Sequence, residues 1–196
     1  MIHPSAEVSP RARVGKGTQV WNEAQIREGA VVGEHCIIGK GAYIDRDVVI
    51  GSNVKIENRA SVYRGVTLED GVFVGPHVSF TNDRYPRSVT PEGRLRTDAD
   101  WEPERTLVRE GASLGAGAVV LPGLVIGRWA MVGAGSLVAR DVPDHALVVG
   151  SPARHVGYVC ECGKRLAAEG AAGGRWRCPE CGRSFELAPL AMASET

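Results

Sequence analysis

The sequence has no net charge, no basic run and no long apolar stretch. Its 196 residues include 23 basic and 23 acidic side chains, a balance that gives no support for nucleic-acid binding. No segment is both long enough and apolar enough to cross a bilayer or to act as a secretion signal. These absences predict a soluble, cytoplasmic protein that has no nucleic-acid or membrane partner.

Cysteine is scarce and unevenly distributed. The chain has five cysteines, and four of them follow Tyr158: Cys160, Cys162, Cys178 and Cys181. In a chain without an export signal, such cysteines favour free thiols or a metal site over disulfides.

A repeat of six residues dominates the first half of the chain. From Ile2 to Phe80 every sixth residue is aliphatic or aromatic, and a second series four positions later carries mostly small residues. The first series is Ile2, Val8, Val14, Val20, Ile26, Val32, Ile38, Ile44, Ile50, Ile56, Val62, Leu68, Val74 and Phe80. Cys36 belongs to the second series, so we predict that it lies in the core.

A period of six is neither the 3.6 of a helix nor the 2 of a simple strand, and it is typical of a parallel β-helix. Three hexads make one triangular coil, in which each hexad supplies a short strand and a corner. Stacked coils place parallel strands about 4.8 Å apart. Residues that are eighteen positions apart are therefore predicted to lie one above the other.

The repeat is interrupted once. It stops after Phe80 and resumes at Val108, a displacement that is not a multiple of six. The intervening segment, residues 81–107, is charged and rich in turn-forming residues, so it is predicted to leave the prism as a loop. Long loops on a rigid scaffold are usually sites of binding or catalysis.

The four late cysteines are arranged in two knuckles, VCECG and RCPECG. This pattern resembles a zinc ribbon, in which four thiolates hold a structural zinc ion. The first knuckle has one residue between its cysteines where two are usual, and the alternative is a small hairpin of free thiols. We predict two units: a β-helix domain at 1–157 and a zinc-ribbon-like tail at 158–196.

Several segments resemble one protein superfamily over residues 1–158. The glycine-rich hexads GAGAVV and GAGSLV and the closing VPDHALVVGSPARHVG resemble those of the left-handed β-helix acyltransferases. The segment NVKIENRASVYRGVTLEDGVFVGPHVSFTNDRYPRS is most similar to N-acetyltransferases that modify nucleotide-linked 3-amino sugars for bacterial glycans. The resemblance implies an all-β, left-handed parallel β-helix that uses acetyl-coenzyme A.

The resemblance also implies a homotrimer with active sites between neighbouring prisms. The coenzyme arm would lie against backbone groups of the later coils, and two arginines would bind its phosphates. The implied coenzyme contacts are Gly117, Ala118, Gly135, Ser136, Arg140 and Arg154.

A stripe of polar residues is predicted on the corner where the chain leaves the prism. Counting back eighteen from Asn82 gives Arg64, Arg46 and Glu28, and the adjacent column reads Thr81, Tyr63, Asp45 and Arg27. Arginines for a diphosphate and an aromatic ring for a base or sugar suit a UDP- or dTDP-linked sugar. The candidate acceptor contacts are Arg27, Tyr63, Arg64 and Arg87.

The residues near the loop favour an amine as acceptor. A sugar hydroxyl needs a general base, whereas a neutral amine needs only to be aimed, which an asparagine carbonyl can do. The segment 81–107 contains no histidine, so Asn82 is the first catalytic candidate. His77, five residues earlier, is the second, and it leaves O-acetyl transfer open.

Two other classes use the same prism. A zinc hydratase of the γ-carbonic-anhydrase type needs three histidines that converge between subunits, but no two histidines here have the expected four-residue gap. A non-catalytic scaffold is the remaining alternative, and the coenzyme-like ending argues against it.

Overall fold

The structure, a computed structural model, describes residues 1–169 and 174–188. Twenty-four short strands form three long parallel sheets and one small antiparallel sheet. Sheet 1 contains β1 (Glu7–Val8), β4 (Gln25–Ile26), β7 (Tyr43–Ile44), β10 (Ser61–Val62), β13 (Ser79–Phe80), β16 (Val119–Val120) and β19 (Leu137–Val138). Sheet 2 contains β2 (Arg13–Val14), β5 (Val31–Val32), β8 (Val49–Ile50), β11 (Val66–Leu68), β14 (Thr106–Val108) and β17 (Val125–Ile126).

Sheet 3 completes the prism. It contains β3 (Gln19–Val20), β6 (Ile37–Ile38), β9 (Lys55–Ile56), β12 (Phe73–Val74), β15 (Ser113–Leu114), β18 (Met131–Val132), β20 (Ala146–Val149) and β21 (Arg154–Tyr158). The chain visits sheets 1, 2 and 3 in turn, which leaves three corners, named here 1–2, 2–3 and 3–1. The last pair, β20 and β21, is antiparallel and ends the stack.

The strand register confirms the predicted stacking. Gln25 pairs with Tyr43 in sheet 1, and Val31 pairs with Val49 in sheet 2, each eighteen residues apart. The predicted fold class, an all-β parallel β-helix of hexapeptide repeats, is confirmed. In residues 1–169 and 174–188 no helix is long and apolar enough to cross a membrane.

The repeat places one large aliphatic residue of each hexad inside the prism. Ile38, Ile44, Ile56 and Phe80 have no exposed side-chain surface, because alternate residues of a strand point to opposite faces. Cys36 is also fully buried and donates its thiol hydrogen to the carbonyl of Gly51 at 3.2 Å, so its predicted core position is confirmed.

The loop leaves after Phe80 and rejoins the prism at Thr106. Thr67 pairs with Leu107 across β11 and β14, an offset of forty residues instead of eighteen, and the next coils resume the normal offset. Thr106 and Leu107, which the sequence places in the loop, already belong to β14. A short 3₁₀ turn at Asp98–Asp100 is the loop's one regular element.

The chain after β21 forms a small antiparallel sheet of β22 (Ala167–Glu169), β23 (Arg175–Arg177) and β24 (Ser184–Glu186). Its aromatic side chains contact the last coil: Tyr158 and Trp176 have ring centroids 4.9 Å apart, and His145 and Phe185 4.7 Å. The predicted tail also includes residues 170–173 and 189–196, which lie outside the described residues.

Candidate functional site

The candidate residues lie on two different corners of the prism. Asn82, Arg64 and Arg27 occupy corner 1–2, which follows the strands of sheet 1. His77 and Gly117 occupy corner 3–1, which precedes them. The two catalytic candidates therefore flank the strand Ser79–Phe80 instead of facing each other.

The polar stripe on corner 1–2 is held by its own hydrogen bonds. Asp45 accepts hydrogen bonds from the hydroxyl of Tyr43 at 2.9 Å and from the backbone N–H of Arg64 at 3.1 Å. The rings of Tyr63 and Tyr43 make a tilted contact, with centroids 5.5 Å apart. The stacking predicted from the sequence thus produces a connected network across three coils.

Most arginines of the stripe are already compensated. Arg27 donates to both carboxylate oxygens of Glu28 and lies 3.7 Å from Asp45. The pKa of Glu28 is lowered, and the main cause is its hydrogen bond with Arg27. Arg46 forms an ion pair with Asp98 of the loop. Arg64, by contrast, has its nearest carboxylate, that of Asp47, at 4.0 Å.

Asn82 is oriented from two sides. Its side-chain Nδ2 donates to the carbonyl of Arg64 at 3.2 Å, and its backbone carbonyl accepts from the N–H of Glu104 at 3.3 Å. The Oδ1 atom accepts no hydrogen bond from the described residues. A half-buried asparagine with a fixed amide and a free carbonyl oxygen is suited to accept a hydrogen bond from a bound ligand.

The loop is pinned back onto corner 1–2. Arg84 donates to both carboxylate oxygens of Glu104 at 2.7 Å and to the carbonyl of Pro122 at 3.0 Å. Arg87, a predicted acceptor contact, is exposed, and its guanidinium donates to the neighbouring carbonyl of Pro86. The structure does not bring Arg87 to the stripe.

Corner 3–1 carries an open strip of backbone above His77. His77, Gly117 and Gly135 lie one above another, and all three have positive φ angles of 59° to 67°. A β-carbon placed on either glycine would have no heavy atom within 4 Å. His77 and Arg59 have side chains at this corner with the same positive φ angle, so the backbone turn does not require glycine there. The two glycines instead leave open space on the outside of the prism.

The other predicted coenzyme contacts lie in different parts of the prism. Ala118 and Ser136 are buried, and Ser136 Oγ accepts a hydrogen bond from the N–H of Gly150 at 3.1 Å. Arg154, on β21 opposite Val149, is exposed at the end of sheet 3. Arg140 is exposed on corner 1–2, above Asn82 and away from the glycine strip.

A cleft beside Asn82 contains residues that sequence analysis missed. It has a volume of about 540 Å³ and lies between β11 and the segment 102–105, named here the return limb of the loop. Its charged lining residues are Asp47, Arg64, Glu102 and Arg105. The six-residue repeat does not predict where Arg105 lies, because the path of the loop is not periodic.

The four late cysteines converge, with all sulfur atoms within 4.8 Å of one another. The Sγ atoms of Cys160 and Cys181 are 3.5 Å apart, and those of Cys162 and Cys178 are 3.6 Å apart. Tetrahedral zinc with Zn–S bonds of 2.3 Å requires sulfur separations of about 3.8 Å. The backbone N–H of Cys181 points at Cys178 Sγ and lowers the pKa of that thiol to about 6, which favours the thiolate that binds metal. The donor set fits zinc.

Comparison with known proteins identifies the repeats. The bacterial transferase hexapeptide family (six repeats) matches residues 1–46 and 47–82. The match covers 82 of the 196 residues, and it agrees with the six-residue repeat and the parallel β-helix described above.

One relative is a sugar N-acetyltransferase. A dTDP-3-amino-3,6-dideoxy-alpha-D-galactopyranose 3-N-acetyltransferase of Aneurinibacillus thermoaerophilus is 58% identical over 62 residues, which is 32% of this chain and 32% of the relative. The chain thus matches about a third of that protein's length.

Solved structures support the fold. WeeI of Acinetobacter baumannii AYE has a TM-score of 0.51 at 20% identity, over 78% of this chain and 56% of that one. The acetyltransferase domain of PglB from Neisseria gonorrhoeae FA1090 has a TM-score of 0.50 at 24% identity, over 80% and 57% of the two chains. The PglB domain has also been solved with acetyl coenzyme A bound, at a TM-score of 0.49, 24% identity, and 79% and 56% coverage.

Proposed function

We propose that this protein transfers the acetyl group of acetyl-coenzyme A to the amino group of a UDP- or dTDP-linked 3-amino sugar, in bacterial glycan biosynthesis. The observation that carries the proposal is the 58% identity to a 3-amino-sugar N-acetyltransferase. The free carbonyl oxygen of Asn82 on a polar corner agrees with an amine acceptor.

In the proposed reaction Asn82 aims the nucleophile. Its Oδ1 accepts one N–H of the neutral amine, which directs the nitrogen lone pair at the thioester carbon. The new C–N bond forms as the C–S bond breaks. The leaving thiolate, with an ordinary thiol pKa of about 8.5, takes the proton that the nitrogen loses.

The coenzyme arm is proposed to lie along the glycine strip of corner 3–1. Gly117 and Gly135 leave room for close approach, and Arg154 lies near the upper end of the strip for a phosphate group. The side chains of Ala118 and Ser136 are buried, so these two residues would contact the coenzyme only through their backbone atoms. His77, at the lower end of the strip, is the residue that would serve as base if the acceptor were a hydroxyl.

This assignment is tested with acetyl-coenzyme A and a set of nucleotide sugars, with free thiol release as the readout. Thiol release is expected with the 3-amino sugars and not with their 3-hydroxy counterparts. Acetyl-coenzyme A alone is expected to raise the Tm, since at 100 times its Kd a ligand adds about 2.7 kcal/mol to stability. Equal transfer to the 3-hydroxy sugars would reverse the assignment toward O-acetylation.

A homotrimer is proposed because it joins the two corners. Outward-facing residues of sheet 1 are mainly polar, including Glu7, Gln25, Ser61 and Ser79. Those of sheet 2 are mainly aliphatic (Val31, Val49, Leu107 and Val125), and Arg13 and Thr67 are the exceptions. With sheets 2 and 3 facing neighbouring copies, corner 1–2 of one protomer meets corner 3–1 of the next. Asn82 and the glycine strip then form one site.

Replacing Val31 by glutamate is expected to break the trimer. The substitution puts a carboxylate into an apolar interface, where desolvation costs several kcal/mol per ion. Sedimentation should show monomers at concentrations where the parent protein is trimeric. Ser61→Glu, on sheet 1, is the control and should remain trimeric; a Val31→Glu trimer of normal stability would contradict this choice of faces.

The four cysteines are proposed to bind one structural zinc ion. Cys160, Cys162, Cys178 and Cys181 would complete its coordination and leave no open position for substrate. Acyl transfer to an amine needs no Lewis acid, so the metal's role is to stabilise the tail.

A further inference from the structure

We propose that the cleft between β11 and the return limb binds the nucleotide sugar, with Arg105 and Arg64 together contacting its diphosphate. Val49 and Thr67 of sheet 2 also line this cleft, so in the proposed trimer it lies at the edge of the interface between protomers. This assignment rests on the proposed function and locates its acceptor site. It adds Arg105, Glu102 and Asp47 to the residues that recognise the substrate.

Among the described residues, several arginines on this corner and in the loop are held by short ion pairs, whereas Arg64 and Arg105 are not. Arg27, Arg46, Arg84 and Arg94 each form a short ion pair on the corner or within the loop, whereas Arg96 lies 3.9 Å from Asp83. Arg64 approaches a carboxylate only at 4.0 Å, and Arg105 forms no ion pair with residues 1–169 or 174–188. Both guanidinium groups are therefore free to donate to an anion that enters the cleft.

The lining of the cleft suits a nucleotide-linked amino sugar better than a simple anion. A diphosphate has only acceptor oxygens, and guanidinium groups bind such oxygens with several N–H donors. Asp47 and Glu102 line the same cleft, and their carboxylates can accept hydrogen bonds from sugar hydroxyls. A volume of about 540 Å³ lies within the range of small-molecule sites.

Both walls of the cleft are bonded directly to Asn82. One wall ends at Arg64, whose carbonyl accepts the Asn82 side chain, and the other contains Glu104, whose N–H donates to the Asn82 backbone. A sugar whose diphosphate lies between Arg64 and Arg105 is thus held next to the asparagine that aims its amine.

The return limb is positioned before any ligand binds. Glu104 forms two hydrogen bonds with Arg84, which also donates to Pro122, and the N–H of Thr106 donates to the carbonyl of Gly65 at 3.0 Å. Arg105 lies between these two attachment points. A site held in this way loses little conformational freedom on binding.

The test measures binding of dTDP, UDP and GDP to the full-length protein by calorimetry. At least one of them is expected to bind the parent protein, and Arg105→Ala and Arg64→Ala are each expected to weaken that binding about ten- to a hundredfold. Acetyl-coenzyme A affinity and Tm should stay unchanged. Arg105→Lys should recover part of the loss, because lysine keeps the charge and loses the forked geometry.

Arg11→Ala is the matched control. Arg11 is an exposed arginine on the same corner, three coils below Gly65, and its loss should leave nucleotide binding unchanged. If the parent protein acetylates a nucleotide amino sugar but the Arg105 and Arg64 variants bind nucleotide normally, the cleft assignment is overturned and the proposed function stands. If the parent protein binds no nucleotide and acetylates no nucleotide sugar, both are overturned.

Discussion

Replacing Asn82 by alanine is expected to lower kcat about a hundredfold while the Kd of acetyl-coenzyme A stays the same. The substitution removes the only acceptor that the proposed mechanism places on the amine, and misplacement of a reacting group by about 1 Å can cost that much. It also removes the hydrogen bond to the Arg64 carbonyl. Single-turnover kinetics would separate this loss from slow product release.

His77→Ala and Asn22→Ala are the companion variants. His77 lies on the other corner, and an amine needs no base from it, so its loss should cost much less than that of Asn82. Asn22 is a corner asparagine outside the proposed site, and its replacement should leave kcat unchanged. An inactive His77→Ala beside a nearly normal Asn82→Ala would reverse the mechanism toward base catalysis.

Purified protein is expected to contain one zinc ion per chain, and removal of that ion should unfold the tail without unfolding the β-helix. Between Tyr158 and Leu187 the tail has few large apolar residues, among them Leu166, Trp176, Phe185 and Leu187. Such a small core seldom folds without a metal or disulfide. Zinc binding by comparable peptides contributes about 10–16 kcal/mol, far more than those contacts.

Cysteine variants and limited proteolysis check this prediction. Cys178→Ala should lose the metal and expose the tail to proteases, whereas Cys36→Ala, inside the prism, should keep the metal. Chelation is a cleaner perturbation than truncation after Gly157, because Tyr158 is 3% exposed and pairs with Ala146 in sheet 3. Metal-free protein with four reactive thiols would exclude the site, and complete loss of activity on gentle chelation would exclude a purely structural role.

The six-residue period predicted the fold because every coil packs the same kinds of side chain at the same positions. One large residue and one small residue per hexad fill a prism of constant cross-section, so the pattern determines strand length, register and the residues that stack. The eighteen-residue count placed Arg64 directly below Asn82, and the hydrogen bond between them confirms that placement. The break after Phe80 located the loop for the same reason.

The sequence alone determined the β-helix, its coil length, the polar corner and the clustering of four cysteines. Only the tertiary structure decided which charges on that corner remain unpaired, because ion pairs such as that of Arg46 with Asp98 depend on the path of a non-periodic loop. It also placed Arg105 beside Arg64 across forty-one positions of sequence. Finally, it separated His77 from Asn82, five residues apart, because a strand between two corners carries neighbours in sequence to different edges of the prism.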